Sequence, residues 1–95
     1  MSEYHEPVEE LSHAVRDVHR ALTSLKEEIE AIDWYHQRWA ASTDESLRAV
    51  LAHNRDEEIE HAVMTLEWVR RNMPVFDVQL RKRLFKDGPI ATSED

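Results

Sequence analysis

The chain has 95 residues, enough for one small domain but too few to bury a large core by itself. Acids outnumber bases by 20 to 12, for a formal charge of −8. That balance repels a phosphate backbone and attracts cations, so nucleic acid is not an expected partner. There is no cysteine, which excludes disulfides and thiolate chemistry, and no apolar run near the roughly 20 residues that span a bilayer.

The opening MSEYHEPVEE is acidic and polar, and is expected to be neither a signal peptide nor a membrane anchor. A soluble cytoplasmic protein follows as the expectation. Pro7 suits the first turn of a helix predicted from about Val8 to about Ala41, roughly 50 Å long. Its apolar seam alternates steps of three and four: Val8, Leu11, Val15, Val18, Leu22, Leu25, Ile29, Ile32, His36, Trp39. Ala14, Ala21, Glu28 and Tyr35 follow one flank of that seam at heptad spacing. Ser42, Thr43 and Asp44 are good helix caps and mark a break. A second helix is predicted from about Glu45 to about Asn72, with the seam Leu47, Leu51, Asn54, Glu58, His61, Thr65, Trp68, and Pro74 ends it. Phe76, Leu80 and Leu84 give a short third helix over about 75–85, and residues 86–95, with Gly88 and Pro89, read as a loose tail. The fold class is therefore all-α in one domain over residues 1–95: two long antiparallel helices plus a short C-terminal one.

The chemistry lies in a defect of the pattern. Asn54, Glu58 and His61 interrupt the second seam, and Glu28 lies beside the first, between Leu25 and Ile32. Packing the seams together takes these groups out of water, and an unpaired buried carboxylate costs several kcal/mol. A metal ion would compensate them directly; a buried hydrogen-bonded network would do so as well. Residues i and i+3 of a helix point the same way, so Glu58 and His61 can hold one ion, and a carboxylate with an imidazole suits iron, manganese or zinc. Di-iron carboxylate bundles use one Glu from each of two helices and a Glu-x-x-His from each of the other two. This chain supplies half of that set. A two-fold dimer would supply all of it, with the metal site on the subunit interface.

Glu27, Glu30 and Trp34 share another face of the first helix, either as a plain solvated surface or as a cation-attracting funnel. His5, His13, His19 and His53 are scattered and fit solvent-exposed or hydrogen-bonding roles, whereas His36 reads as a satisfied core histidine. The stretch Arg70, Arg71, Arg81, Lys82, Arg83, Lys86 is basic, opposed only by Asp77. It suits the end of a helix and docking against acidic surfaces of neighbouring subunits.

The strings EEIEAIDWYHQR and LAHNRDEEIEHAVMTLEWVRR resemble the encapsulated ferritins of bacteria and archaea, half-ferritins of the ferritin-like superfamily, and the resemblance runs from about Val8 to about Phe85. It implies a two-helix unit that dimerises into a ferritin-like four-helix bundle and assembles as a homodecamer, a pentamer of dimers. It implies ferroxidase activity at a di-iron centre, Fe(II) to Fe(III), inside a cytoplasmic encapsulin nanocompartment that stores the iron. Carried over position by position, the ligands would be Glu28, Glu58 and His61 of each of two subunits. Tyr35 would lie near the iron, Glu27, Glu30 and Trp34 would admit metal, and His53 would lie close to the site. The family's chains continue into a C-terminal targeting peptide, which is not read in the last residues Ser93, Glu94 and Asp95. The alternatives are a non-catalytic helical interaction module and a structural zinc or manganese site in a helical dimer.

Overall fold

The computed structural model describes residues 4–91. A 3-10 turn, Val8–Glu10, precedes three helices: α1 (His13–Ala41), α2 (Glu45–Asn72) and α3 (Pro74–Arg83). Among the described residues there is no strand, and no helix is long and apolar enough to cross a membrane. The expected fold class, all-α with two long helices and a short third, is what is found. The first helix was expected from Val8, yet α1 begins at His13. Ser12 explains the difference: its backbone is extended and its hydroxyl accepts a hydrogen bond from the Val15 N–H at 3.2 Å, so the helix starts anew there.

Asp44 caps α2 in the same way, accepting from the Leu47 N–H at 2.8 Å. Met73 is extended (φ −135°, ψ 97°), as a residue before proline prefers, and Pro74 opens α3, where its missing N–H is not needed. Beyond α3, Phe85 takes a positive φ of 58° in the left-handed region that usually falls to glycine. Residues 86–91 are exposed and not helical, and the rest of the tail, from 92 on, lies outside the described residues.

The turn between α1 and α2 is clamped by an aromatic–cation stack. The Arg48 guanidinium lies 4.6 Å from the centre of the Trp39 ring and that of Arg55 5.1 Å from it. Arg48 Nε donates to the Trp39 carbonyl at 3.1 Å, satisfying a C-terminal group of α1. His36 stacks on Trp39 with centroids 5.4 Å apart, and its Nδ1 is 3.2 Å from Arg55 Nη1. A guanidinium only donates, so His36 Nδ1 accepts. His36, expected in the core, is exposed but satisfied.

The molecule is a thin slab, 50 × 41 × 18 Å. Among the described residues, Leu51, Ala62 and Val69 are the buried apolar ones, all on the side of α2 that meets α1, and Val69 alone among them is inaccessible. Half of the expected seam points elsewhere. Val15, Leu22 and Ile29 of α1 lie on one broad side together with Ile59 and Val63 of α2; Ile29 is 55% and Val63 59% exposed. Leu47, Val50, Met64 and Trp68 of α2 lie exposed on the other. A seam widened by a flanking row covers more of a helix than one neighbour can bury, so both broad sides keep apolar residues.

An ionic chain holds α3 against α2. Arg70 donates Nε and Nη2 to the two oxygens of Glu67 at 2.7 and 2.8 Å, and Nη1 to Asp77 of α3. Arg71 also binds Glu67, at 2.7 Å, and Arg81 binds Asp77 at 2.9 Å. The hydrogen bonds from Arg70 and then Arg71 hold the Glu67 carboxyl at about 2, far below its ordinary 4.5. Arg70 likewise lowers Asp77.

Candidate metal centre

Glu28 stands on the side of α1 that turns toward α2, between Leu25 and Ile32. Its Oε1 is closed to solvent and has no hydrogen-bond partner. A buried, unpartnered carboxylate oxygen is rare in a folded protein and asks for a cation or a donor from outside the chain. Glu58 and His61 are one turn apart on α2, with His61 Nδ1 3.7 Å from Glu58 Oε2. That distance is too long for a hydrogen bond and leaves room for both groups to turn toward a shared ion. Their side chains are 27% and 44% exposed, so each keeps an open edge.

The side of the slab these groups share is marked by a shallow groove one turn further along, lined by Arg20, Ala21, Ser24, Met64, Thr65 and Trp68. Ser24 precedes Glu28 by one turn and Thr65 follows His61 by one turn. The Thr65 hydroxyl donates to the His61 carbonyl at 3.0 Å, which ties off that helix turn without engaging the imidazole. Val15, Leu22 and Ile29 lie on the other broad side.

Among the described residues, no three His, Asp or Glu side chains of one chain gather around a common point. Glu28 with Glu58 and His61 is an incomplete donor set, two carboxylates and an imidazole on two neighbouring helices, and a second set of the same kind would complete it. The donor chemistry fits a first-row divalent metal such as Fe(II).

The other expected residues are placed as follows. Tyr35 is half-buried one heptad along α1 from Glu28, with the Arg38 guanidinium 5.4 Å from its ring centre. Glu27, Glu30 and Trp34 share the outer edge of α1 and are exposed, away from Glu28. His53 is paired at 2.8 Å with Glu57, and both are exposed. Sequence reasoning missed the clamp on Trp39, although Arg48 and Arg55 stand one heptad apart. It also missed that Arg70 is a hub between Glu67 and Asp77.

The EncFtn-like family model matches residues 3–87, nearly the whole chain. The chain is 60% identical over 93 residues to a "Ferritin-like protein" of Thermotoga maritima, covering 98% of this chain and 82% of that one. It is 57% identical over 90 residues to an "Encapsulated ferritin-like protein" of Rhodospirillum rubrum, covering 95% of this chain and 64% of the other's length. Its fold matches the crystal structure of protein ne0167 from Nitrosomonas europaea with a TM-score of 0.91 and 56% identity, covering 96% of this chain and 100% of that one.

Proposed function

Because the chain belongs to the EncFtn-like family, we propose that two copies join on the side bearing Glu28 and His61 to form a ferritin-like four-helix bundle with ferroxidase activity. The observation that carries this reading is the buried Oε1 of Glu28, which nothing in its own chain satisfies. A two-fold axis beside it brings together two copies each of Glu28, Glu58 and His61, the donor set of a di-iron carboxylate site.

Fe(II) is the substrate. Glu58 and His61, one turn apart on α2, would hold the iron together with Glu28, whose buried Oε1 lacks a partner in its own chain. Carboxylates favour the higher charge of Fe(III), and dioxygen takes the electrons. Tyr35 stands one heptad from Glu28 as an aromatic neighbour of the iron. The exposed Glu27, Glu30 and Trp34 form the acidic mouth that collects cations, supported by the chain's charge of −8.

The apolar residues on the second broad side support assembly beyond the dimer, to a homodecamer built as a pentamer of dimers. The 57% identical relative is named as encapsulated, which supports an encapsulin shell as partner, a place inside that cytoplasmic compartment, and storage of the oxidised iron there.

The test is Fe(II) oxidation followed optically in Glu58→Ala and His61→Ala. Each should lose most of the activity; an unchanged rate in an intact oligomer would sink the proposal. A structural zinc or manganese site would bind metal yet consume no dioxygen with Fe(II), and a plain interaction module would retain no stoichiometric metal.

A further inference from the structure

Among the described residues, Met64 is the thioether on the side of the slab that carries the metal ligands. It follows His61 by three residues, so it stands on the same side of α2, about 4.5 Å further along the axis. Met64 is 58% exposed and helps line the shallow groove, about 360 Å³, that continues from Glu28 and His61 past Ser24, Thr65 and Trp68. One water takes about 30 Å³ of the liquid, so a species of two oxygen atoms has ample room there. Met73 is placed quite differently. It is half-buried at the bend before α3 and lines the apolar notch against the start of α1. Twelve residues separate it from His61, roughly 18 Å along a helix axis.

We propose that Met64 intercepts hydrogen peroxide formed at the metal centre and is thereby a site of reversible sulfoxide formation. The proposal rests on the reading that iron is oxidised at Glu28, Glu58 and His61. Two Fe(II) give up two electrons, which with two protons reduce one dioxygen to hydrogen peroxide. A lone pair of the Met64 sulfur then attacks one peroxide oxygen. The S–O bond forms as the O–O bond breaks, and the departing hydroxide takes up the remaining proton and leaves as water. Sulfur loses two electrons and the peroxide gains them, so the step needs no further reactant.

The side chain and its place suit this role. It is unbranched, turns about three bonds and carries a polarisable sulfur, so it sweeps an open groove without moving its helix. Oxidation makes it polar, a change that disrupts a core and that cellular reductases reverse. Met64 lies outside the buried set of Leu51, Ala62 and Val69, so the hairpin keeps its packing when the sulfur is oxidised. Peroxide left beside Fe(II) yields radicals that attack imidazole and indole rings. His61 stands one turn before Met64, and Trp68, 39% exposed, stands one turn after it on the same groove.

The experiment loads the intact oligomer with Fe(II) in the absence of oxygen and then admits air with catalase present. Fe(III) is read optically, and sulfoxide at each methionine by peptide mass spectrometry. Catalase clears peroxide from the bulk and is too large for the groove. Met64 should gain several-fold more sulfoxide than Met73. In metal-free protein given hydrogen peroxide from outside, the ratio of Met64 to Met73 sulfoxide should be several-fold lower. Glu58→Ala, given the same iron, should bring Met64 down to the level of Met73. Met64→Leu keeps the volume and should oxidise its first iron at the parent's rate. Over repeated rounds it should lose activity sooner, with more oxidation at Trp68. Equal ratios from turnover and from added peroxide make Met64 merely an exposed thioether and overturn the proposal, as does a Met64→Leu variant that keeps pace with the parent. Iron oxidised with Met64 untouched sinks this proposal alone; iron that stays Fe(II) in the parent sinks the ferroxidase reading with it.

Discussion

Replacing Glu28 with leucine is expected to stabilise the metal-free protein and to abolish its stabilisation by metal. In the parent, Glu28 Oε1 is sealed from water and unpartnered. A buried polar atom left unsatisfied costs about 1–3 kcal/mol, and more if charged. Leucine has a similar reach and no polar atom, so the substitution recovers about that amount. In a domain of this size one kcal/mol moves the melting midpoint by roughly 4–8 °C, so in chelator Glu28→Leu should melt at least about 4 °C above the parent. Clustering of carboxylates across a two-fold axis acts in the same direction. With metal the order should reverse. A ligand at a hundred times its dissociation constant stabilises the parent by about 2.7 kcal/mol, and the variant has lost a donor from the set. Thermal unfolding by circular dichroism, with chelator and with Fe(II) under anaerobic conditions, reads both effects. Glu28→Gln is the control, since it keeps a polar atom in the same place and should gain little without metal. If Glu28→Leu melts lower than the parent in chelator, the carboxylate has a stabilising partner and the reasoning fails.

Three further outcomes are expected. Glu67 has its carboxyl held at about 2 against an ordinary 4.5, so its contribution to the seat of α3 is complete above about pH 4.5 and is lost as the pH falls toward about 2. Amide exchange in α3, corrected for intrinsic rates, should accelerate across that window before α1 does, and Arg70→Gln should remove the step. Arg48→Gln deletes a hydrogen bond to the Trp39 carbonyl and one cation–π contact; at about 1 kcal/mol and about 0.5–1 kcal/mol respectively, it should lower the melting midpoint by roughly 6–16 °C. The triple variant Glu27→Ala, Glu30→Ala, Trp34→Ala should slow Fe(II) uptake in stopped-flow while leaving final stoichiometry intact, and identical uptake traces would return these residues to a plain solvated surface.

The helical hairpin was legible because the residues from 8 to 73 contain neither proline nor glycine and the one break is a cluster of capping side chains, of which Asp44 is the cap actually used. The start of α1 was not, because Ser12 interrupts a periodic apolar row that continues on both sides of it, and periodicity is blind to a cap inside its own pattern. The seam showed which residues are apolar but not which neighbour each one faces. Val15 and Leu25 belong to the same repeat, yet Leu25 packs inward and Val15 looks out. At the candidate site the spacing of Glu58 and His61 can be read directly, since i and i+3 neighbour each other in any helix. The orphaned Oε1 of Glu28 depends on how two helices meet and has no signature in spacing. The Arg70 hub was hidden for a related reason: Asp77 lies beyond the Met73–Pro74 bend, where helical periodicity no longer relates one residue to the next.

The thin slab, apolar on both broad sides, has a consequence for how the sequence can vary. Ile29 and Val63 are more than half exposed in one chain, and an exposed residue of an ordinary monomer accepts polar replacements at little cost. In the assembly proposed above, selection acts on stacked layers. A mutational scan scored on function should therefore find Ile29 and Val63 as intolerant as Val69, while Asp56 and Glu60, on the outer edge of α2, vary freely.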